Sequence, residues 1–138
     1  MSVSVENYNI TNVYKPPSSR ISPTTLPTLP FPSLYAGDFN CQPVDWGYTI
    51  TSSDGESLAA WAASNNLAVL YNPKDPASFL SGRWGTGRNP DLDFVRFDSD
   101  SSLPDRCVLE KFPRSQHRPS LVTPPKLVSP IPSKPVKR

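Results

Sequence analysis

Apolar and polar positions alternate from Tyr8 to Tyr14, which predicts a β-strand, and Lys15-Pro16-Pro17-Ser18-Ser19 stops it. A second strand is expected over Leu34 to Phe39, an apolar run leading into Gly37-Asp38-Phe39-Asn40. The proline-rich stretch between them can enter neither a central strand nor a helix interior, because proline lacks the amide hydrogen. It is expected to cross the surface as an extended connection. Pro43 to Ser53 reads as a loop carrying Trp46 and Tyr48. Ser53 and Glu56 then stand at capping-box spacing and predict a helix start. Leu58, Trp61 and Ala62 share one face of that helix, Asn65-Asn66 stops it, and Leu67 closes the apolar pattern. Short strands are predicted over Ala68 to Tyr71, Leu92 to Phe97 and Cys107 to Phe112. A glycine-rich turn around Trp84 covers Ser81 to Arg88, and an acidic, serine-rich turn covers Asp98 to Asp105. Beyond Ser120 the periodicity disappears and disorder is expected. Strands mixed with one amphipathic helix predict an α/β or α+β sandwich, cut short.

Composition narrows this picture. A chain of 138 residues has room for one domain at most. Its 18 prolines far exceed the usual share of ~5%, and they cluster from Pro16 to Pro32 and from Pro119 to Pro135. Residues 34 to 118 between the clusters read as globular and hold Trp46, Trp61 and Trp84. That is a small core, and the chain reads as incomplete. The net charge of +2 supports no particular partner, since acids and bases are mixed except from Lys134 to Arg138. Cys41 and Cys107 have no CxxC spacing, which points to a reducing compartment and no zinc site. No apolar run is long enough for a membrane span, and the N-terminus lacks a signal-peptide layout. A soluble, intracellular protein, nuclear or cytoplasmic, with no membrane partner is therefore expected.

Candidate chemistry sits at predicted strand ends. In Gly37-Asp38-Phe39-Asn40, strand alternation turns Asp38 and Asn40 to one side and Phe39 into the core. Gly37 allows a ligand or another backbone close to that edge. An acceptor beside an orientable amide suits the activation and holding of a water near a phosphate. In isolation Gly-Asp-x-Asn is more often a turn. The same reserve applies to Tyr14, which alone reads as a strand-end tyrosine, and to Asp91 after Asn89-Pro90, a natural turn residue. His117 is the only histidine, and a lone histidine is more often structural or exposed than catalytic; Arg118 beside it reads more readily as a surface charge than as a substrate contact.

Order and spacing together say more. Tyr14 before Pro16, then Gly-Asp-Phe-Asn, then Pro90-Asp91-Leu92 before a strand, then Ser115-Gln116-His117-Arg118-Pro119, resembles the endonuclease/exonuclease/phosphatase superfamily. Asn12 to Ser18 (NVYKPPS), Leu34 to Cys41 (LYAGDFNC) and Lys111 to Pro119 (KFPRSQHRP) are most similar to the endonuclease domain of jockey-like non-LTR retrotransposons, in its C-terminal part. The resemblance covers about residues 8 to 122 as a truncated domain and leaves 123 to 138 as a Pro/Lys-rich disordered tail. It implies a partial four-layer α/β (α+β) sandwich of two β-sheets flanked by helices, with the active site at one edge. It further implies Mg²⁺-dependent hydrolysis of a DNA phosphodiester by an in-line water, with a reverse transcriptase in the parent element. On the family pattern Asp38 aligns and activates the water, and Asn40 helps hold it and the phosphate. His117 stabilises charge on the phosphoryl oxygen, Asp91 orients His117, and Tyr14 contacts the phosphate or assists the leaving oxygen.

Two departures bear on activity. The family carries an early Asn strand and a Gln-Glu-Thr-type strand whose Glu binds metal; this sequence begins after both, and Glu6 does not match that position. Gln116 stands where the family usually has the Asp of Ser-Asp-His. With both carboxylates absent, Mg²⁺ finds few hard anionic oxygens, so little or no nuclease activity is expected. A core left open on one side would favour poor solubility, self-association or a covering partner. Two other readings stand beside this one. The first is a non-catalytic interaction protein using Pro124-Pro125-Lys126 or Pro130-Ile131-Pro132 as polyproline ligands; the second is another phosphoesterase of the same superfamily.

Overall fold

The computed structural model describes residues 1–41, 51–96, 102–110 and 113–125. Its strands are β1 (Ser2–Val5), β2 (Tyr8–Tyr14), β3 (Ser33–Asp38), β4 (Leu67–Val69), β5 (Phe79–Leu80), β6 (Gly87–Arg88), β7 (Asp91–Arg96), β8 (Asp105–Val108) and β9 (Ser120–Thr123). One α-helix, α1 (Ser53–Ser64), is present among the described residues. Five strands form a mixed sheet in the order β1-β2-β3-β7-β4; β5 with β6 and β8 with β9 make two-stranded ribbons. The α/β class expected from the pattern is the class observed.

The parallel pairing of β2 with β3 requires a crossover, and the proline-rich stretch supplies it. This stretch is not a bare extended connection. It contains a 3₁₀ turn at Pro23–Thr25, and Ile21, Leu26 and Leu29 pack against the core. The buried Tyr35 hydroxyl donates to the Pro27 carbonyl at 2.6 Å and accepts the Leu29 N–H at 3.0 Å. Apolar side chains interspersed among the prolines thus hold the crossover down.

The core lies between α1 and one face of the sheet. Alternation puts Tyr35 and its cross-strand partner Phe94 on that face, and the helix adds Leu58, Trp61 and Ala62. The Trp61 ring meets Tyr35 edge-on at 5.0 Å and Phe94 at 5.7 Å, while Phe39 meets Phe94 at 5.2 Å. Such pairs add about 0.5–1.5 kcal/mol each beyond area burial. The expected helix face is the observed one, but its cap is displaced by one residue. Ser52 is the N-cap, with its hydroxyl accepting the Gly55 N–H at 3.1 Å, and Ser53 is already helical. Spacing to Glu56 favours Ser53, but the adjacent Ser52 offers an equivalent hydroxyl one residue earlier, and that one takes the cap.

The other face carries Ile10, Leu34 and Val95, which with Val122 and Pro125 line an apolar cleft of about 400 Å³. Here the β8–β9 ribbon is fastened to β7 by polar contacts. The buried Arg106 donates from Nε to Asp93 Oδ2 at 2.7 Å and from Nη2 to the Asp91 carbonyl at 3.1 Å. Ser120 Oγ donates to the same Asp93 oxygen at 3.1 Å.

Several departures from expectation concern strands: β4 lies at Leu67–Val69 where Ala68–Tyr71 was expected, and β6, inside the expected glycine-rich turn, pairs with β5. Ser120–Thr123 is not disordered; it pairs antiparallel with β8, Leu121 facing Cys107, so a distant strand supplies the order that local periodicity did not signal. β8 begins at Asp105, earlier than Cys107 and inside the expected acidic turn. β1 was not anticipated. It is an exposed edge strand folded back on β2 through Glu6, whose φ of 52° makes the tight turn. The loop carrying Trp46 and Tyr48, the first half of the Asp98–Asp105 turn, Pro130-Ile131-Pro132 and the basic run from Lys134 lie outside the described residues.

Candidate active site

Three neighbouring strands end in one row. Tyr14, the last residue of β2, pairs with Asp38, the last of β3, and Asp38 pairs in turn with Asp91, the first of β7. Gly37 makes the parallel β2–β3 approach feasible, because a Cβ there would collide with the Val13 carbonyl, and its φ of +144° disfavours any L side chain. The close neighbour that glycine admits is therefore another backbone.

Asn40 joins the row by a route that strand alternation did not foresee. Its φ is 45°, so extended geometry stops at Asp38 and a left-handed residue carries the amide onward. Its backbone N–H donates to Asp38 Oδ1 at 3.1 Å, and its Nδ2 donates to the Lys15 carbonyl at 3.0 Å. Phe39 between them is fully buried, as expected, and its N–H donates to the Pro90 carbonyl at 2.9 Å.

His117 arrives from the segment before β9. Its backbone bridges Phe79, and its ring lies edge-on to the Phe79 ring at 4.9 Å. Nδ1 stands 2.9 Å from Asp91 Oδ2. An ionised carboxylate only accepts, so Nδ1 is the protonated nitrogen of this pair and Nε2 is the one presented to a substrate. Burial, and then the neighbouring Asp91 carboxylate, push the Asp38 carboxyl above its ordinary value; His117 and the Asn40 hydrogen bonds pull the other way. A raised carboxyl is a better proton acceptor once ionised.

Tyr14, Asp38, Asn40 and His117 line one pocket of about 460 Å³, with Pro17, Phe79, Arg88 and Pro90. Tyr14 is 71% exposed there. Asp91 meets this group through His117, and ligand atoms of Asp38, Asp91 and His117 all lie within 4.8 Å of one another. All five residues singled out in the sequence are therefore brought together. Arg118 lines an adjoining cavity of about 630 Å³ with Asp38, Asp91 and His117, and its Nη1 donates to the Ala77 carbonyl at 2.7 Å, a structural tie. Glu6 lines the apolar cleft away from the site.

Sequence reasoning missed the supports. Ser78, fully buried, accepts the Asp91 N–H on its hydroxyl at 3.3 Å, and its carbonyl accepts the Arg118 N–H. No local motif marks it. Arg88 stands two residues before Pro90-Asp91 and lines the pocket; as a lone basic residue in a glycine-rich turn it carried no signal.

A family model described as endonuclease-reverse transcriptase matches residues 8–120. The chain belongs to the endonuclease-reverse transcriptase family. Among solved structures, the endonuclease domain of TRAS1, a telomere-specific non-LTR retrotransposon, superposes with a TM-score of 0.62 at 21% identity. The match covers 88% of this chain and 58% of that one, so this chain spans less than two thirds of the TRAS1 domain. No curated protein sequence matches. Family membership and the TRAS1 fold agree with the resemblance carried by NVYKPPS, LYAGDFNC and KFPRSQHRP. No helix among the described residues is long and apolar enough to cross a membrane.

Proposed function

We propose that this endonuclease-reverse transcriptase family member is the phosphodiester-hydrolysing part of a non-LTR retrotransposon endonuclease domain, with DNA as substrate and low activity by itself. The observation that carries the reading is the convergence of Asp38, Asp91 and His117 from separate chain segments, with Asn40 and Tyr14 on the same pocket. In this reading Asp38 accepts a proton from the attacking water, and Asn40 holds water and phosphate. His117 is oriented by Asp91 through Nδ1–H, and as the imidazolium it donates from Nε2 toward the phosphoryl oxygen where negative charge grows. Tyr14 meets the phosphate from the exposed wall.

A divalent cation fits this donor set modestly. Mg²⁺ is commonly held by one or two carboxylates together with substrate phosphates, and Asp38 is the carboxylate not already engaged with His117. Asp38 would hold the ion, with Asp91 beside it, and the ion when bound would neutralise phosphate charge. Gln116 contributes no anionic oxygen, which accords with low turnover. The exposed Trp84, with the Arg83 guanidinium 4.8 Å over its ring, and Arg88 on the pocket wall support a nucleic-acid substrate through stacking and phosphate contact. The domain occupies about residues 8 to 122. The family description supports a reverse transcriptase in the parent element, and self-association would cover the apolar cleft over Ile10 and Leu34. Such a role belongs inside the cell, in nucleus or cytoplasm.

The test is nicking of supercoiled plasmid by the 138-residue chain in Mg²⁺. Slow nicking is expected, reduced roughly 10²–10⁴-fold in Asp38→Ala and in His117→Ala, as for loss of one oriented acid–base or charge-stabilising group. Nicking that survives both substitutions unchanged overturns the proposal.

A further inference from the structure

Lys15 is a charged residue where the fold has no obvious need of one. Lysine is almost never fully buried unless paired, yet Lys15 is only 6% exposed and does not line the pocket of Asp38, Asn40 and His117. It lies just past the end of β2, behind the Gly37-Asp38-Phe39-Asn40 segment, and four contacts join it to its surroundings. Its backbone N–H donates to the Asp38 carbonyl at 2.8 Å, and its carbonyl accepts the Asn40 side-chain amide at 3.0 Å. Its ammonium donates to the Asn40 carbonyl at 3.4 Å and pairs with Asp54 Oδ2 at 3.2 Å. Asp54, in the first turn of α1, also accepts the Ile21 N–H on its other oxygen at 3.3 Å.

From these contacts we propose that Lys15 is a positioning residue whose buried ammonium holds the left-handed turn at Asn40 and so aims the Asn40 carboxamide. The turn needs holding, because a positive φ is uncommon outside glycine even for asparagine. Asn40 is gripped at three points: its N–H by Asp38, its carbonyl by the Lys15 ammonium, and its amide nitrogen by the Lys15 carbonyl. One amide proton is thereby committed, which fixes the plane of the carboxamide beside Asp38 and leaves its oxygen for a ligand. An apolar residue at this position would keep the backbone contacts but release the Asn40 carbonyl. Asp54 is the counter-charge that allows the ammonium to be buried, and through it the helix start and the crossover are tied to the same turn.

The geometry stands without the nuclease reading; its effect on DNA binding rests on that reading. The experiment uses the full chain, isotope-labelled, in three forms: Lys15→Met, Lys15→Arg, and the neutral pair Lys15→Met/Asp54→Leu. A buried ion pair replaced by apolar groups of similar size is often tolerated, so the neutral pair keeps the fold, checked by circular dichroism, if Lys15→Met alone does not. The Asn40 side-chain amide pair is followed by ¹H–¹⁵N NMR, and affinity for a short DNA duplex is measured in Ca²⁺. In Lys15→Met and in the neutral pair the two Asn40 amide protons should move toward free-carboxamide positions, with duplex binding weakened about tenfold. Lys15→Arg should retain the wild-type amide signature. An Asn40 amide unmoved in the neutral pair overturns the proposal. A displaced amide in a chain whose wild-type form binds no duplex leaves the positioning role standing and counts against the nuclease reading.

Discussion

One face of the five-stranded sheet is sealed by α1 and the proline-rich crossover, whereas the opposite face is bridged, among the described residues, by the β8–β9 ribbon and keeps an apolar cleft. The sealed face is built from aromatic rings meeting edge-on, the open one from a buried ion pair, Arg106 with Asp93, and its hydrogen bonds. Apolar packing is non-directional and supplies stability; a buried ion pair contributes little net stability but is exacting about geometry. The site straddles both regimes. Phe39 anchors Asp38 and Asn40 from the sealed side, while Arg106 grips the Asp91 backbone from the open side.

The comparison breaks most readily at Phe94. Phe94→Ala removes the ring that both Phe39 and Trp61 touch, and a cost of about 3–5 kcal/mol is expected in chemical denaturation. If the open face were equally consolidated, Leu34→Ser would cost a similar amount. It is expected to cost less than about 1 kcal/mol, in the range of substitutions outside a closed core, measured in the same way.

The smallest effect sharpens the electrostatics. Because the Asp38 carboxyl is held above its ordinary value, the folded chain binds that proton more tightly than the unfolded chain does. The associated stability is present at low pH and lost as pH rises through the folded-state value. Asp38→Asn should therefore raise the melting temperature slightly at pH ~7 and leave it nearly unchanged below about pH 3, where the wild-type carboxyl is protonated in both states. Equal shifts at both pH values would show that Asp38 carries no such penalty.

What was readable in the sequence follows the range of the forces involved. β2 was legible because its alternation is local, and its observed limits, Tyr8–Tyr14, are the expected ones. The helix face at Leu58, Trp61 and Ala62 was legible for the same reason, though not the choice between Ser52 and Ser53 as cap. Tyr14, Asp38, Asn40, Asp91 and His117 stood out because their flanking residues form short fixed phrases. Lys15, Ser78, Arg88 and Arg106 did not, because each acquires its role only from partners remote in the chain. β9 was missed on the same grounds: its order is lent by β8.

Strand order carries a kinetic consequence. Tyr14, Asp38, Asp91 and His117 come from four separated stretches of chain, and β3 must find β2 across the crossover and β7 across the whole helical segment before the first three of them share one row. Contacts of such long sequence separation form late and slowly. The pairing of His117 with Asp91 spans fewer residues than that of Asp38 with Asp91, so it closes a shorter stretch of chain than the β3–β7 contact does. As His117 is the only histidine in the chain, its imidazole signal reports when the segment before β9 meets the start of β7.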